Sequence, residues 1–440
     1  MVSFKRLKVH VRRTQWAVGH GGFHSGIVQT EDGGSQITWI YDCGTSSSSK
    51  PLTEEFNLFQ DRLTYHNHEA KLDFLFLSHF HEDHVGGLGR IVRRKVQISH
   101  IFAPLLGPLE RLIALGASDD PTDPDDLDFY LTLIADPARA LSDLADTVTF
   151  VIPGSENVTQ GDIPEDTPEP TEDEFSLSSE TPALSSASAS ANTTDATTTI
   201  STDGGRTIWV LEPYVLKELD SEATLQAFRL ELSSRLKMEP HVLDGKLSSS
   251  EEILHLIKSP STRSKFRQAY ESLLKNSELP ADLNLTSLCL YAGPANGTHR
   301  TWRSRWPIHD VAPENTRDWA DRHEVGAWTL RGGWLHTGDA SLQHTGRRQD
   351  FLAFYTRRLP HVGAFLLPHH GADASFDAEL LRAMGSDPLC IAAAKPGHGA
   401  KGWNHPGHSV MGSVSANGSH LLVVSDQPKS RYSDTLTIEF

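Results

Sequence analysis

The chain has 440 residues, of which 38% are hydrophobic, and its formal net charge at pH 7 is −17. This apolar content is enough to bury one large α/β core with insertions. No stretch approaches the roughly 18 consecutive apolar residues of a membrane span, and the first residues, MVSFKRLKVHVRR, lack the apolar core of a signal peptide. Three widely spaced cysteines without a CxxC pair favour reduced thiols. We therefore expect a cytoplasmic protein with no membrane partner.

The first informative segment in chain order is ITWIYDCGT, an apolar strand that ends with Asp42, Cys43 and Gly44. A second apolar run, residues 72–78, has the length of a strand. It leads directly into SHFHEDHVGG, and the following VGGLGRIVRRKV can open a short helix. The sequence thus predicts a loop between a strand and a helix at this point.

This loop contains His79, His81, Asp83 and His84, which place four metal-binding side chains within six residues. On an extended segment, His79 and His81 project to the same side and can reach one cation. The turn at Asp83 and His84 aims a carboxylate and an imidazole at a second cation. The pattern predicts two metal ions close together. Glu82 alternates away from its neighbours and is predicted to be solvated.

The middle of the chain predicts two insertions in what we expect to be one catalytic domain, residues 1–440. Residues 155–205 hold 11 acidic residues, no Lys or Arg, and no hydrophobic period, so this segment is predicted to be a disordered acidic insert. Removing it would change the net charge from −17 to −6. Residues 216–280 contain amphipathic stretches that predict a helical insertion, forming either a lobe over the site or a surface for a partner.

The late part of the chain carries three more groups of polar residues, each near an apolar run. WLHTGDASL supplies Asp339 at the end of a predicted strand, and AFLLPHHGAD supplies His369 and His370 after another. Further strands are predicted for LCIAAA, HLLVVS and TLTIEF. WNHPGHSVM contributes His405, which lies either at the site or in an ordinary surface turn.

The metal loop resembles the signature of the metallo-β-lactamase superfamily, and the other segments follow in the order expected of that superfamily. The resemblance implies an α/β fold, an αββα sandwich of two sheets with helices outside, and a site at the sheet edge where the loops converge. It also implies that Asp42 supports the metal loop, Asp339 bridges two metals, and His370 completes the second metal site. His369 would then face the substrate.

Within the superfamily, the chain is most similar to the nuclease-like domain of competence-type DNA-uptake proteins and its phosphodiesterase relatives. The likeness is carried by AVGHGGF, LNLTSLCLYA, TGDA, PHHGA and WNHPGHSVM. The Gln of the relatives' VGQGD turn is His20 here. The third ligand of the first metal stays open, with His100, His299 and Asn284 as candidates.

Histidine and carboxylate ligands without Cys suit zinc, with manganese as the alternative. Two such ions about 3.5–4 Å apart would lower the pKa of a bridging water to roughly 7 and polarise the bond under attack. The prediction is a hydrolase that uses this hydroxide, with Asp83, His369 and His405 as its catalytic groups.

Arginine-rich segments favour a phosphodiester substrate, including nucleic acid. HRTWRSRW, residues 299–306, interleaves arginines with tryptophans as a groove that binds phosphates and stacks bases would. Further positive charge comes from Arg347, Arg348, Arg357 and Arg358.

Two other function classes stay open. A lactone, thioester or β-lactam hydrolase could use the same metals, but it needs a more apolar pocket, and a lactonase often adds a Tyr that no motif places here. A non-catalytic metal-binding sensor or partner-binding scaffold would have no need to retain open-site ligands.

Overall fold

The computed structural model describes residues 8–64, 70–154, 176–181, 190–193, 195–202, 205–216, 221–275, 286–295, 303–305, 331–385, 387–397 and 405–439. The strands up to residue 202 are β1 (Lys8–Gln15), β2 (Phe23–Thr30), β3 (Gln36–Cys43), β4 (Lys71–Phe76), β5 (Gln97–Pro104), β6 (Ala145–Val151), β7 (Leu177–Glu180), β8 (Ser190–Thr193) and β9 (Thr198–Thr202). The later strands are β10 (Thr207–Val215), β11 (Leu288–Pro294), β12 (Arg303–Arg305), β13 (Gly333–His336), β14 (Val362–Leu366), β15 (Leu389–Ala393), β16 (His420–Val424) and β17 (Tyr432–Glu439).

The helices group into three sets along the chain. The first set is α1 (Ser49–Thr64), α2 (Glu82–Val85), α3 (Leu88–Arg93), α4 (Pro108–Ala117), α5 (Pro124–Ala135) and α6 (Pro137–Ser142). The second set is α7 (Ser221–Leu236), α8 (Pro240–Leu247), α9 (Ser250–Lys258) and α10 (Pro260–Leu274). The third set is α11 (Thr345–Phe354), α12 (Glu379–Met384) and α13 (His408–Ala416). Short 3₁₀ turns lie at Leu359–His361, Pro368–Gly371 and Pro428–Ser430. None of the described helices is long and apolar enough to cross a membrane.

Two mixed sheets form the centre of the fold. The first has the order β12-β17-β1-β2-β3-β4-β5-β6-β8, and the second has the order β16-β15-β14-β13-β11-β10-β9-β7. In the first sheet β3, β4, β5 and β6 run parallel, and in the second β13, β14, β15 and β16 run parallel. The carboxyl ends of these parallel strands supply the loops that carry the predicted ligands.

Alternation along the parallel strands divides their side chains between two cores. Trp39 and Phe74 face the core between the sheets, whereas the next residues, Ile40 and Leu75, face the core under the first set of helices. Such strands are buried on both faces, which explains their almost continuous apolar sequences. A third core packs the second sheet against α11, α12 and α13. The layers are therefore those of an αββα sandwich, and the predicted fold class is confirmed.

The predicted helical insertion, 216–280, corresponds to α7–α10. These helices share the core of the first helical layer with α4 and α5, through residues such as Phe228 and Phe266. Arg263 on α10 forms an ion pair with Asp120 in the loop between α4 and α5, with a distance of 2.9 Å from Nη2 to Oδ2. The insertion thus extends the outer layer of the first sheet.

Part of the predicted disordered insert, 155–205, joins the sheets. Strand β7 pairs with β9 in the second sheet, and β8 pairs with β6 in the first. The residues of β9 alternate between buried and half-buried positions, and their β-branched Thr and Ile side chains suit a strand. Residues 155–175, 182–189, 194 and 203–204 lie outside the described parts, so the domain bounds stay a prediction.

Candidate metal centre

The carboxyl ends of β4, β13 and β14 bring together all six predicted metal ligands. The loop after β4, residues 78–84, is called the metal loop below. The six residues are His79, His81, Asp83 and His84 of this loop, Asp339 after β13, and His370 in the 3₁₀ turn after β14. They come from both sheets, so the candidate centre depends on the packing of one sheet against the other.

Three overlapping groups of these side chains could each hold a metal ion. Within each group, one ligand atom from every member lies within 4.8 Å of the others. The groups are His79 with His81 and Asp83, His79 with His84 and Asp339, and His20 with Asp83 and His370. The overlap is what two neighbouring cations with shared carboxylates would require.

Asp339 lies at the middle of the cluster and is 2% exposed. Its carboxylate oxygens lie 3.2 Å from Nε2 of His84, 3.6 Å from Nε2 of His79, 3.7 Å from Nε2 of His370, 3.7 Å from Nε2 of His369 and 4.0 Å from Nδ1 of His81. A carboxylate that faces imidazoles on both sides can contact two ions at once. This position is the one that a bridging ligand needs.

Asp42 and Ser78 orient the imidazoles of His79 and His84 through hydrogen bonds to their Nδ1 atoms. Nδ1 of His84 donates to Oδ2 of Asp42 at 2.7 Å. The hydroxyl of Ser78 donates to the same oxygen at 2.7 Å, so it is free to accept from Nδ1 of His79 at 2.9 Å. The backbone N–H of Ser78 donates to Oδ1 of Asp42, also at 2.7 Å. Both Nδ1 atoms therefore carry the protons, which leaves Nε2 of each ring free to bind a metal.

His370 is oriented in the same way by a backbone carbonyl. Its Nδ1 donates to the carbonyl oxygen of Ala393 at 2.8 Å, and its Nε2 lies 3.2 Å from Oδ2 of Asp83. A carbonyl can only accept, so the ring proton must be on Nδ1 when the imidazole is neutral.

The buried nitrogens that face the centre fit a cation. Nε2 of His79 and Nε2 of His84 are inaccessible to solvent and make no hydrogen bond of good geometry. Buried polar atoms almost always have a partner. When both rings are neutral with their protons on Nδ1, their Nε2 lone pairs point at one carboxylate, which is an arrangement that a divalent metal would satisfy. The donor set of imidazoles and carboxylates suits zinc, manganese or iron.

Backbone strain is concentrated at this centre. Among the described residues, six non-glycine residues have a positive φ, and three of them are Asp42 (58°), His369 (48°) and His370 (57°). Such conformations cost about 1–3 kcal/mol each and persist where the surrounding structure holds them. All three of these residues contact the cluster.

Burial and neighbouring charges shift the pKa values of the cluster in opposite directions. Burial, followed by His84 and His81, lowers the pKa of His79 well below its usual value. For His84, burial acts to lower the pKa, but the carboxylates of Asp339, Asp83 and Asp42 together raise it well above its usual value. Burial acts to raise the pKa of Asp339, but the surrounding imidazoles lower it overall. Asp339 is thus ionised, as a metal ligand must be, and a metal that binds Nε2 of His84 would displace the proton that the carboxylates favour there.

Aromatic residues join the two sheets beside the cluster. The ring centroid of His336 in β13 lies 4.3 Å from that of His24 in β2 and 4.7 Å from that of Tyr41 in β3. The Tyr41 hydroxyl donates to the carbonyl of Leu288 in β11 at 2.6 Å. His24 is fully buried, so it belongs to this packing between the sheets.

Three further histidines surround the cluster. The side chain of His369 is 25% exposed, and its ring stacks on that of His405 with centroids 6.1 Å apart. His20 lies between His405 and His370, and its ring centroid is 5.4 Å from that of His405 and 3.9 Å from that of His370. His369 and His405, two of the three predicted catalytic groups, therefore lie close together beside the cluster.

Two predictions near the site need revision. Burial, with smaller effects of Asp83 and Asp119, raises the pKa of Glu82 to about 9. Glu82 begins α2 and is half-buried, not solvated as predicted, because α2 is bonded to a distant loop: the N–H of Glu82 donates to the Ser118 hydroxyl at 3.0 Å. His100 stacks on Phe102 with ring centroids 4.1 Å apart and places its Nε2 2.7 Å from the Thr149 hydroxyl. It belongs to none of the three metal groups, and the other candidates, Asn284 and His299, lie outside the described residues.

Two of the four arginines that were predicted to add positive charge beside the site are paired with carboxylates. Arg348 pairs with Glu379 at 2.7 Å, and Arg358 pairs with Glu212 at 3.0 Å. Both arginines are 7% exposed, so they stabilise the second helical layer instead of facing a substrate. Arg303–Arg305, from the arginine-rich segment, form the edge strand β12, which pairs with β17.

Sequence reasoning missed Ser78 as the residue that links Asp42 to two imidazoles. Its position directly before the metal motif was the available signal. It also left the role of His20 undecided, because only the packing of the loop before β2 on the metal loop brings His20 to Asp83.

Comparison with curated proteins gives no match for this chain. Comparison with family models gives a match to the metallo-beta-lactamase superfamily, which covers residues 24–181 and includes Asp42 and the whole metal loop. Asp339 and His370 lie beyond the matched range but complete the same cluster. Residues 24–181 are therefore similar to the metallo-beta-lactamase superfamily, whose family model they match.

Proposed function

We propose that the chain is a metal-dependent hydrolase that cleaves phosphodiester bonds, as a phosphodiesterase or nuclease. The observation that carries the hydrolase assignment is the buried cluster in which Asp339 faces His79 and His81 on one side and His84 and His370 on the other. The superfamily consists mostly of metal-dependent hydrolases, which supports the same assignment.

In this proposal the six ligands hold two divalent cations, zinc or manganese. Such ions would polarise the scissile bond and make a water acidic enough to attack at neutral pH. Asp42 and Ser78 keep His79 and His84 in the tautomer that can bind metal. Asp83, which lies between His84 and His370, would help to hold the second ion.

His369 and His405 would serve the leaving group. Both rings border the cluster, and Nε2 of His369 lies 3.7 Å from Asp339. An imidazole at this place can donate a hydrogen bond to charge that develops on phosphorus oxygens, or a proton to the leaving oxygen. We expect His369→Ala to lower kcat about 10²–10⁴-fold, the range typical of a lost general acid.

The phosphodiester class is favoured by the likeness of the TGDA and PHHGA segments to those of competence-type nucleases. The tyrosines that contact the site's surroundings also weigh against a lactonase. The hydroxyl of Tyr41 donates to Leu288, and that of Tyr130 donates to the backbone carbonyl of Phe80 inside the metal loop at 3.1 Å. Both hydroxyls are thus occupied away from a substrate. Arg348 and Arg358 are each paired with a glutamate, so they do not support binding of a substrate phosphate. The test therefore includes a carbon ester.

The test compares hydrolysis of a chromogenic phosphodiester, single-stranded DNA and a lactone, each with zinc or manganese. Wild type is compared with Asp339→Ala, which removes the central carboxylate. Asp350→Ala, which removes an exposed carboxylate on α11, is the control. Circular dichroism and the melting temperature without metal verify that each variant is folded.

Metal-dependent cleavage of DNA or the diester that is lost only in Asp339→Ala would support the proposal and rank polymer against small substrate. Cleavage of the lactone alone would reassign the protein to the carbon-ester class. Absence of turnover on all three substrates by metal-loaded wild type would favour a sensor or scaffold.

A further inference from the structure

We propose that His20 is an additional ligand of the second metal site, and that this site consequently binds its ion more tightly than the first. The inference concerns metal binding alone and does not depend on which substrate the protein cleaves. His20 is not part of the metal motif, and it stands where the similar DNA-uptake proteins have a Gln.

The geometry places His20 at the second site. Its ligand atom, one from Asp83 and one from His370 all lie within 4.8 Å of one another. The rings of His20 and His370 have centroids only 3.9 Å apart, and His20 is 7% exposed. Two imidazoles and a carboxylate that converge in a buried place are a typical transition-metal donor set.

The backbone holds His20 against the metal loop. The N–H of Gly22 donates to the carbonyl of Asp83 at 2.9 Å, so the turn is bonded to a ligand residue itself. Gly21 has a φ of 154°, and a Cβ there would lie 2.6 Å from the carbonyl oxygens of Asp83 and Gly44. On the other side, the carbonyl of His20 accepts from the N–H of Ser46 at 2.9 Å. A side chain fixed in this way loses little freedom when it binds a metal, which favours affinity.

The two sites then differ in their number of imidazoles. Within the described residues, the first site has His79 and His81, which face Oδ2 of Asp339. His369 approaches the same oxygen at 3.7 Å but belongs to none of the three metal groups. The second site would have three imidazoles and two carboxylates. Its members would be His20, His84, His370, Asp83 and Asp339. Five protein donors suit a five- or six-coordinate ion and predict that the second site fills first.

The experiment titrates the metal-free full chain with Zn²⁺ in competition with a chromophoric chelator, and with Co²⁺ followed by visible absorption. We expect His20→Ala and the shape-preserving His20→Phe to weaken the tightest site at least 10-fold and to change the Co²⁺ spectrum. His420→Ala removes an exposed imidazole from β16, which belongs to none of the metal groups, and should leave that affinity within twofold of wild type. His370→Ala is the positive control, because it removes a ligand of the same site.

An unchanged tight affinity and an unchanged Co²⁺ spectrum in both His20 variants, together with loss in His370→Ala, would overturn the proposal. The melting temperature of each metal-free variant separates a folding defect from a binding defect. The His20→Phe variant fills the space of the ring, so it separates loss of the ligand from loss of packing. Since no substrate is present, failure of the phosphodiesterase assignment cannot produce either result.

Discussion

Replacing Asp42 by Asn should weaken metal binding although Asp42 is not itself a ligand. Asp42 is fully buried and has a φ of 58°, a conformation that Asn tolerates well, so the backbone should be preserved. The Asn oxygen can keep the bond from the Ser78 N–H. The amide NH₂ then stands in the place of Oδ2 and faces Nδ1 of His84. That nitrogen would have to become an acceptor, and the proton would move to Nε2, the atom that faces Asp339.

The expected loss follows from the single bond that changes. The bond from His84 to Asp42 measures 2.7 Å and involves an ionised acceptor, a class of bond worth about 1.5–3 kcal/mol. Divided by about 1.4 kcal/mol per factor of ten, this corresponds to a loss of affinity of roughly 10–100-fold. The same range is typical when the hydrogen-bond partner of a metal-binding histidine is removed.

The assay is competition for Zn²⁺ between the protein and a chromophoric chelator. Asp73→Asn is the matched control, because Asp73 accepts from the backbone N–H of Thr38 at 2.8 Å but belongs to none of the metal groups. The control should match wild type. Equal affinities of wild type and Asp42→Asn would refute the idea that Asp42 sets the tautomer of His84.

Three further predictions concern stability and packing. Arg13→Met breaks a buried ion pair between β1 and β17 and should lower the free energy of unfolding by about 3–5 kcal/mol in chemical denaturation. Lys50→Met, which breaks an exposed pair, should change it by no more than about 0.5 kcal/mol. Gly22→Ala should weaken Zn²⁺ binding, because its Cβ would lie 2.9 Å from Nδ1 of His84, whereas Gly412→Ala meets nothing within 4 Å in α13 and should bind normally. Burial lowers the pKa of His100 to about 4. Between pH 6.5 and 4, His100 is therefore protonated in the unfolded chain but stays neutral in the folded chain. The free energy of unfolding should therefore fall by at most about 3 kcal/mol as the pH falls through this window. Chemical denaturation at the two ends of the window should show a smaller fall for His100→Phe than for wild type.

The sequence predicted the metal loop and the fold because their signals are local. Four ligands lie within six residues, and the parallel strands are apolar on both faces, so neither prediction needs a distant contact. The grouping of Asp339 and His370 with this loop required the resemblance to a known family. Two separate strand ends can be expected to meet only if the order of the sheets is known.

The remaining features depend on contacts between distant residues. Arg348 and Arg358 looked available for phosphate because their partners, Glu379 and Glu212, are 31 and 146 residues away. The partial burial of Glu82 likewise depends on a distant segment, since its N–H donates to the hydroxyl of Ser118, 36 residues away. No local pattern could show that the turn at His20 bonds to the carbonyl of Asp83. Such features follow from tertiary packing and are invisible to periodicity.

The central claim is that one chain binds two divalent ions through a shared carboxylate. The most direct measurement is the number of metal ions per chain. It is determined by inductively coupled plasma mass spectrometry after dialysis against Zn²⁺ or Mn²⁺. We predict two ions for wild type and at most one for Asp339→Ala, because both sites lose a ligand in that variant. A wild-type chain that binds no ion, or an Asp339→Ala chain that still binds two with unchanged affinity, would contradict the account.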